Sequence, residues 1–373
     1  MTAHNLLANA DLRFRPARSS AGEEFEVAQG TINALASSPD RELRRSSFES
    51  FADGHLAFKN TMAACLVGGV KRDIFMARAR GYRDSLDRAL KPAFIPRPVF
   101  ENVISQFSAN VGTWHRYYDL RRRALKLDRL ARHDFSAHLS DHEVAIPFRQ
   151  AVDWISDGVS PLGPEYVSVL RRGVLEDRWV DWAPNRGKRA GAFSIGTPDG
   201  HPYICMTYSG DVASMSTLAH ELGHSMHSYY TRRSQPYVYH GYGLFAAEVA
   251  SNFHQALVRA HLLQTSADRD LKIALLEEAM GNFGRYFLVM PTLATLELEM
   301  HQRAEAGEGL TADDLTNLTA DLFARAYGPA VEVDRDRVGI TWAEFSTHLY
   351  RAFYTCQYAT GIAASAALSG AIL

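Results

Sequence analysis

The sequence lacks several features that would place it in a specialised class. Cysteine is scarce: Cys65, Cys205 and Cys356 are far apart and odd in number, and no Cys-x-x-Cys pair occurs. That argues against a disulfide framework or a thiolate metal site, and a reducing compartment, the cytoplasm, is the expectation. Neither sign of charge dominates: 40 Lys+Arg against 42 Asp+Glu leave a formal charge of −2, so a nucleic-acid partner is not expected. Long apolar runs are missing too. The nearest, Ala359 to Leu373, is broken by Thr360, Ser365 and Ser369 and reads as a core helix, so no membrane span is expected. The first residues carry Arg13, Arg15 and Arg18 without an apolar stretch, so they are not expected to act as a secretory signal. No internal repeat or low-complexity segment is apparent.

What is present is an ordinary globular composition, 46% hydrophobic over 373 residues, with one surplus: 15 histidines. Histidine is the commonest metal ligand, which makes this a weak pointer to a metal site. Helical periodicity dominates. Apolar residues recur at three- and four-residue spacing over Arg41 to Val70, Ile74 to Leu90 and Phe100 to Leu127. Asp141 to Arg172 reads as two more helices around Ser160-Pro161-Leu162-Gly163-Pro164. The basic stretch Arg116 to Arg132 reads as a solvated helix face. The texture changes at Trp182 to Gly210, rich in Gly, Pro and aromatics. There Ala190 to Ile195 and Tyr203 to Tyr208 alternate around the turn Thr197-Pro198-Asp199-Gly200, predicting a hairpin. Helices resume near Ser216. The fold class expected is mainly α with one small β-sheet. It divides near residue 180 into an N-terminal helical lobe (1–180) and a second lobe (181–373).

Just after the hairpin lies Thr217-Leu218-Ala219-His220-Glu221-Leu222-Gly223-His224-Ser225-Met226-His227, which contains HExxH. On a helix, positions i and i+4 share a face with Cβ atoms about 6 Å apart, so two imidazoles there can share a zinc ion. Glu221 follows the first ligand and reaches the metal's water, where it can act as general base. Leu218, Leu222 and Met226 form an apolar line that supports the helix, and Ser214 and Ser216 are candidate caps. The alternative is a surface helix with unrelated histidines.

Catalytic zinc usually has three protein ligands and one open position. Glu248 sits among Phe245, Ala247, Val249 and Phe253, an apolar setting in which a carboxylate needs a cation or hydrogen-bond donors. It is the candidate third ligand; the alternative is a surface Glu on an alanine-rich helix. His227 shares the face of His220 and His224. Seven residues rise about 10.5 Å, so one zinc cannot take all three at about 2 Å each. His227 is therefore assigned beside the metal shell or in the substrate cleft.

These residues resemble the oligoendopeptidase F group of zinc oligopeptidases, related to thimet oligopeptidase. Asn185-Arg186-Gly187-Lys188-Arg189-Ala190-Gly191-Ala192-Phe193-Ser194 resembles the family's GKR-x-GA(Y/F)S strand. Pro202-Tyr203-Ile204 with Met206 resembles the next strand. His220 to His227 corresponds to HELGHSxH, Glu248-Val249-Ala250-Ser251 to EVAS, and His348 to Gly361 to H-x-Y…FY…QYATG. Asn9-Ala10-Asp11-Leu12 and Phe58-Lys59-Asn60-Thr61 also match, so the resemblance covers essentially the whole chain.

The resemblance implies a mainly α, zincin-like fold and zinc-dependent cleavage of short peptides. It implies one zinc on His220, His224 and Glu248, with Glu221 as base and acid. By the same resemblance His348, Tyr354 and Tyr358 stabilise the tetrahedral intermediate, and which tyrosine faces the oxyanion is open. Tyr350, Tyr354 and Tyr358 at i, i+4, i+8 also fit an aromatic core stripe. The strand from Tyr203 to Tyr208, if it is an edge, can pair with substrate backbone. That makes Tyr203, Ile204, Met206, His227 and Tyr350 candidate substrate contacts. The Gly241-Tyr242-Gly243 segment reads as a flexible loop beside the cleft.

There are two departures from the family. Its Thr-Phe-Asn-Glu after EVAS is here Asn252-Phe253-His254-Gln255, which removes a carboxylate at Gln255. Its full-length members also extend beyond both ends, so the chain reads as the core of a longer protein. Three functions stay in view: a zinc endopeptidase on oligopeptides, an exopeptidase on the same zinc, or a non-catalytic protein that binds zinc or peptides. The oligomeric state is left open.

Overall fold

A computed structural model describes residues 2–140, 144–185, 188, 191–345 and 351–373. Its longer helices are α1 (Arg41–Leu56), α2 (Lys59–Ala79), α3 (Arg97–Ala124), α4 (Phe148–Gly158) and α5 (Pro164–Leu175). They continue with α6 (Val212–Ser234), α7 (Leu244–Thr265), α8 (Arg269–Gly284), α9 (Met290–Glu305), α10 (Ala312–Tyr327) and α11 (Cys356–Ile372). The strands are short: β1 (Ala17–Arg18), β2 (Glu24–Phe25), β3 (Leu130–Ala131), β4 (Val180–Asp181), β5 (Phe193–Ile195), β6 (Tyr203–Cys205) and β7 (Val331–Glu332). No described helix is long and apolar enough to cross a membrane.

The helix ends follow local chemistry. Asp40 accepts from the Glu42 and Leu43 N–H groups and starts α1, satisfying donors that have no partner within the helix. Thr311 does the same for α10, where its hydroxyl accepts from Asp314 N–H and the Asp314 carboxylate takes Thr311 N–H. Gly328, at φ 76°, ends α10. The apolar pattern over Arg41 to Val70 proves to be two helices, split by Ala57 and Phe58.

The chain forms two compact units. The first holds residues 1–139 and 285–356. Its core clusters include Leu35, Leu43 and Phe51, and separately Leu86, Leu90, Phe100, Ala294 and Phe353. Parallel pairing of β3 with β7, Leu130 opposite Val331, ties together its two sequence-distant parts. The buried Asp134 accepts from Arg41 at 2.9 Å and from Arg44 at 3.4 Å. The basic stretch is largely the expected solvated face, with Arg116, Arg123, Lys126 and Arg129 exposed; the exception is Arg121, which is buried and donates to the Asp134 and Ala137 carbonyls. Those backbone oxygens need donors once they are away from water.

The second unit holds residues 140–284 and 357–373. Its core gathers α4 to α8 and the sheet around Ile155, Leu170, Trp179, Ile204, Leu218, Leu222, Met226 and Val258. The division expected near residue 180 falls inside this unit, because Val180 and Asp181 pair with Ile204 and Cys205. The hairpin forms as expected, with Phe193 opposite Cys205 and Ile195 opposite Tyr203.

The strand order is β4-β6-β5, so β6 is central and the premise that it is an edge is corrected. Its N–H groups are used on the β4 side: Ile204 donates to Trp179 at 2.6 Å and Met206 to Asp181 at 3.1 Å. Ile204 and Met206 are buried in the core, so neither faces a substrate, while Tyr203 is exposed at the end of the strand. The edge is β5.

Candidate active site

Helix α6 begins on a capping box. Asp211 accepts from Ser214 N–H at 2.7 Å, and Ser214 Oγ accepts from Asp211 N–H at 3.1 Å. The cap is therefore Asp211, with Ser214 its partner and Ser216 one turn inside. Leu218, Leu222 and Met226 are fully buried, which turns His220, Glu221 and His224 to a common region beside α7. The approach of α7 depends on Gly223. A Cβ there would lie 2.7 Å from Ala250 O and Ser251 Cα, so only glycine permits this spacing.

That spacing brings Glu248 to the histidines. The His220 and His224 rings are 4.8 Å apart and nearly perpendicular. Glu248 Oε2 lies 3.7 Å from His220 Nε2, and one ligand atom from each of the three residues falls within 4.8 Å of the others. Two donors at about 2.0–2.1 Å from a tetrahedral zinc stand roughly 3.4 Å apart, so the cluster is close to the size that ion needs. The donor set, two imidazoles and a carboxylate, is also that of catalytic zinc.

The electrostatics agree with a cation site. Burial keeps both imidazoles neutral, with His224 lowered to about 3 by burial and then by the neighbouring His220, His227 and His254. Burial pushes both acids up to about 7; for Glu221 the nearby Glu248 adds to this and Ser194 N–H opposes it. Two buried carboxylates are costly without a compensating positive charge. Glu221 Oε2 is buried with no hydrogen-bond partner.

Ser194 links this site to the sheet. Ile204 opposes Ser194 and directs its own N–H to β4. The alternation of an antiparallel ladder then turns the Ser194 N–H outward, to Glu221. Ser194 Oγ is 2.8 Å from Ser225 Oγ, which fixes β5 on α6.

The remaining sequence candidates fall as follows. His227 lies outside the donor cluster, its ring stacked on Tyr242 at 4.0 Å and its Nδ1 buried without a partner. Tyr242 OH is 2.5 Å from Ser228 Oγ, so the loop around Gly241 and Gly243 is anchored through its aromatic residue. Tyr358 lies on α11, three positions before Gly361. A Cβ at Gly361 would lie 2.8 Å from Glu248 Cβ, so that face of α11 sits against the Glu248 backbone. Tyr354 belongs to the first unit, with the Arg351 guanidinium 4.7 Å over its ring. The preceding Phe353 has φ 57°, and its N–H donates to the buried Glu297 at 2.5 Å. His348 and Tyr350 lie outside the described residues.

Sequence reasoning missed the surroundings of His220. Gln255, read as a lost acid, accepts from His220 Nδ1 at 2.9 Å. A signal was available: Gln255 lies two turns after Glu248 on one helix face, and Ser216 one turn before His220. The roles of Gly223 and Gly361 had no such signal.

A mainly α, zincin-like fold carrying an HExxH helix and a glutamate from the next helix defines a metallopeptidase class. The chain belongs to Peptidase family M3, whose signature matches residues 34–371. Oligopeptidase PepF of Bacillus subtilis is 36% identical over 370 residues, covering 99% of this chain and 55% of the relative. Group B oligopeptidase PepB of Streptococcus agalactiae is 32% identical, covering 96% and 59%. The crystal structure of oligoendopeptidase-F from Enterococcus faecium matches with a TM-score of 0.77 at 26% identity, over 100% of this chain and 60% of that one. The chain thus spans less than two thirds of the length of each of these relatives.

Proposed function

We propose that this chain carries the zinc centre of an endopeptidase that hydrolyses oligopeptides. The observation that supports it best is the His220, His224 and Glu248 donor set beside a carboxylate oxygen of Glu221 that is buried and unpartnered. His220, His224 and Glu248 would hold one zinc ion, which when bound would supply Lewis-acid polarisation of the scissile carbonyl and a more acidic water. The other steps belong to the chain's own groups. Ser194 N–H holds the Glu221 carboxylate and leaves Oε2 open. That oxygen takes a proton from the attacking water and passes it to the leaving amine. The Tyr358 hydroxyl, on the helix packed against Glu248, is the proposed oxyanion donor. His348 and Tyr354 are assigned to the same intermediate by the family resemblance.

The outer edge of β5, where Glu221 holds the Ser194 N–H, still offers the Ser194 carbonyl to an extended peptide, by strand addition. Such pairing is indifferent to most side chains, which suits a processor of varied short peptides. His227, stacked on Tyr242, is proposed as a substrate contact. The test is Glu221→Gln, which should keep zinc and lower cleavage of an internally quenched peptide by at least about 100-fold. Turnover unchanged in that variant would overturn the assignment.

A further inference from the structure

The group behind His220 is neutral, and a line of hydrogen bonds continues beyond it. His220 Nδ1 is 2.9 Å from Gln255 Oε1. Gln255 Nε2 donates to Ser216 Oγ at 2.8 Å, and Ser216 Oγ donates to Glu278 Oε1 at 2.6 Å. The far end is closed by Arg259, which donates twice to Glu278 Oε2, at 3.0 and 2.6 Å. All these residues lie in the second unit, and Ser216 and Gln255 are buried.

The direction of this line is forced by its charged end. Glu278, whose Oε2 takes both Arg259 N–H groups, is an anion and can only accept. Ser216 has one proton, and the 2.6 Å contact with a carboxylate requires it there. The serine oxygen must then accept from Gln255, so the amide nitrogen faces Ser216 and the amide oxygen faces His220. A carbonyl oxygen cannot donate, so the proton of His220 sits on Nδ1. Its Nε2 lone pair therefore faces the donor cluster. Reversing the amide would leave Ser216 and Glu278 with no proton between them and place a proton on Nε2, where it would block the metal.

We propose that Glu278, held by Arg259, sets the tautomer and orientation of His220 through Ser216 and Gln255. On this view a carboxylate three hydrogen bonds away does the orienting that a directly bonded carboxylate does in other sites. Ser216, Gln255 and Glu278 are positioning residues for the metal centre. This rests on the zinc reading above.

The experiment measures zinc affinity of the purified chain by competition with a chromogenic chelator, with thermal melts in excess chelator reporting the metal-free fold. Ser216→Ala and Glu278→Gln should each weaken zinc about 10- to 100-fold. Adding Gln255→Glu to either should restore affinity to within about threefold, because a carboxylate at 255 accepts from Nδ1 with no need of the relay. A role in folding alone would shift the melts without that rescue. Wild-type-like zinc affinity in Ser216→Ala and Glu278→Gln, or no rescue by Gln255→Glu, overturns the relay while leaving the metal site standing. A wild-type chain that takes no zinc, or keeps it in His224→Ala, overturns the metal reading and the relay with it.

Discussion

Gly223→Ala is the sharpest probe of how the fold builds the donor cluster. The new Cβ would lie 2.7 Å from Ala250 O and Ser251 Cα, and ordinary contact begins at 3.4 Å, so these backbones must part by about 0.7 Å. Neither neighbour is a side chain that can rotate away. Ala250 and Ser251 lie two and three positions after Glu248 on α7, so the displacement carries Glu248 away from His220 and His224. Zinc–oxygen bonds of about 2.0–2.2 Å do not stretch by that amount, and a misplacement approaching 1 Å costs on the order of 100-fold in rate. Stability should respond far less. Alanine gains about 1 kcal/mol over glycine in a helix interior, while overpacking costs about 1–3 kcal/mol, for a net loss of about 0–2 kcal/mol. The assay is zinc competition with a chelator alongside a melt of the metal-free chain. Gly68→Ala on α2, where a Cβ meets nothing within 4 Å, serves as the control and should leave zinc untouched. Wild-type zinc affinity in Gly223→Ala would refute the argument that helix approach at this glycine assembles the site.

Other predictions follow from single contacts. Tyr358→Phe should lower kcat by about 100- to 1,000-fold with little change in zinc content; a wild-type kcat would remove it from oxyanion stabilisation. An endopeptidase should cleave a peptide blocked at both ends, and mass spectra with terminal losses from free peptides only would instead favour an exopeptidase. In the first unit, Asp134→Asn leaves the buried Arg44 guanidinium without its ion-pair partner and should cost about 3–5 kcal/mol in a denaturant titration. Burial raises the Asp134 pKa, but the bonds from Arg41 and Ala131 N–H and the charges of His133 and Arg41 outweigh it and hold it below the usual 3.8. An acid whose pKa is lowered by folding contributes its stability above its unfolded pKa and loses it as pH falls through the folded value. Wild type should therefore lose stability more steeply than Asp134→Asn below about pH 4, and parallel acid titrations would refute this.

The elements nearest the chemistry were the most legible. HExxH fell on a helix because Leu218, Leu222 and Met226 recur at one-turn spacing, and the hairpin was visible through its alternation and its Pro-Asp-Gly turn. Strand order was not: β4 is two residues long, too short for any alternation, yet its pairing with β6 makes that strand central. The lobe boundary misled for a related reason. Composition changes near residue 180, but the compact units are set by contacts between distant segments, such as Leu130 with Val331. Gln255 read as a missing charge because a sequence shows the residue type and not its partner. Only the fold places Glu278 beside Ser216, where an amide at 255 can serve.

The central claim is that His220, His224 and Glu248 hold one zinc ion on which peptide hydrolysis depends. The most direct measurement strips the chain with chelator, then follows cleavage of a quenched oligopeptide as zinc is added back. The account predicts no cleavage in the stripped chain and activity that rises linearly to a break at one equivalent. Cleavage that survives stripping, or zinc bound at one equivalent with no cleavage, would contradict it.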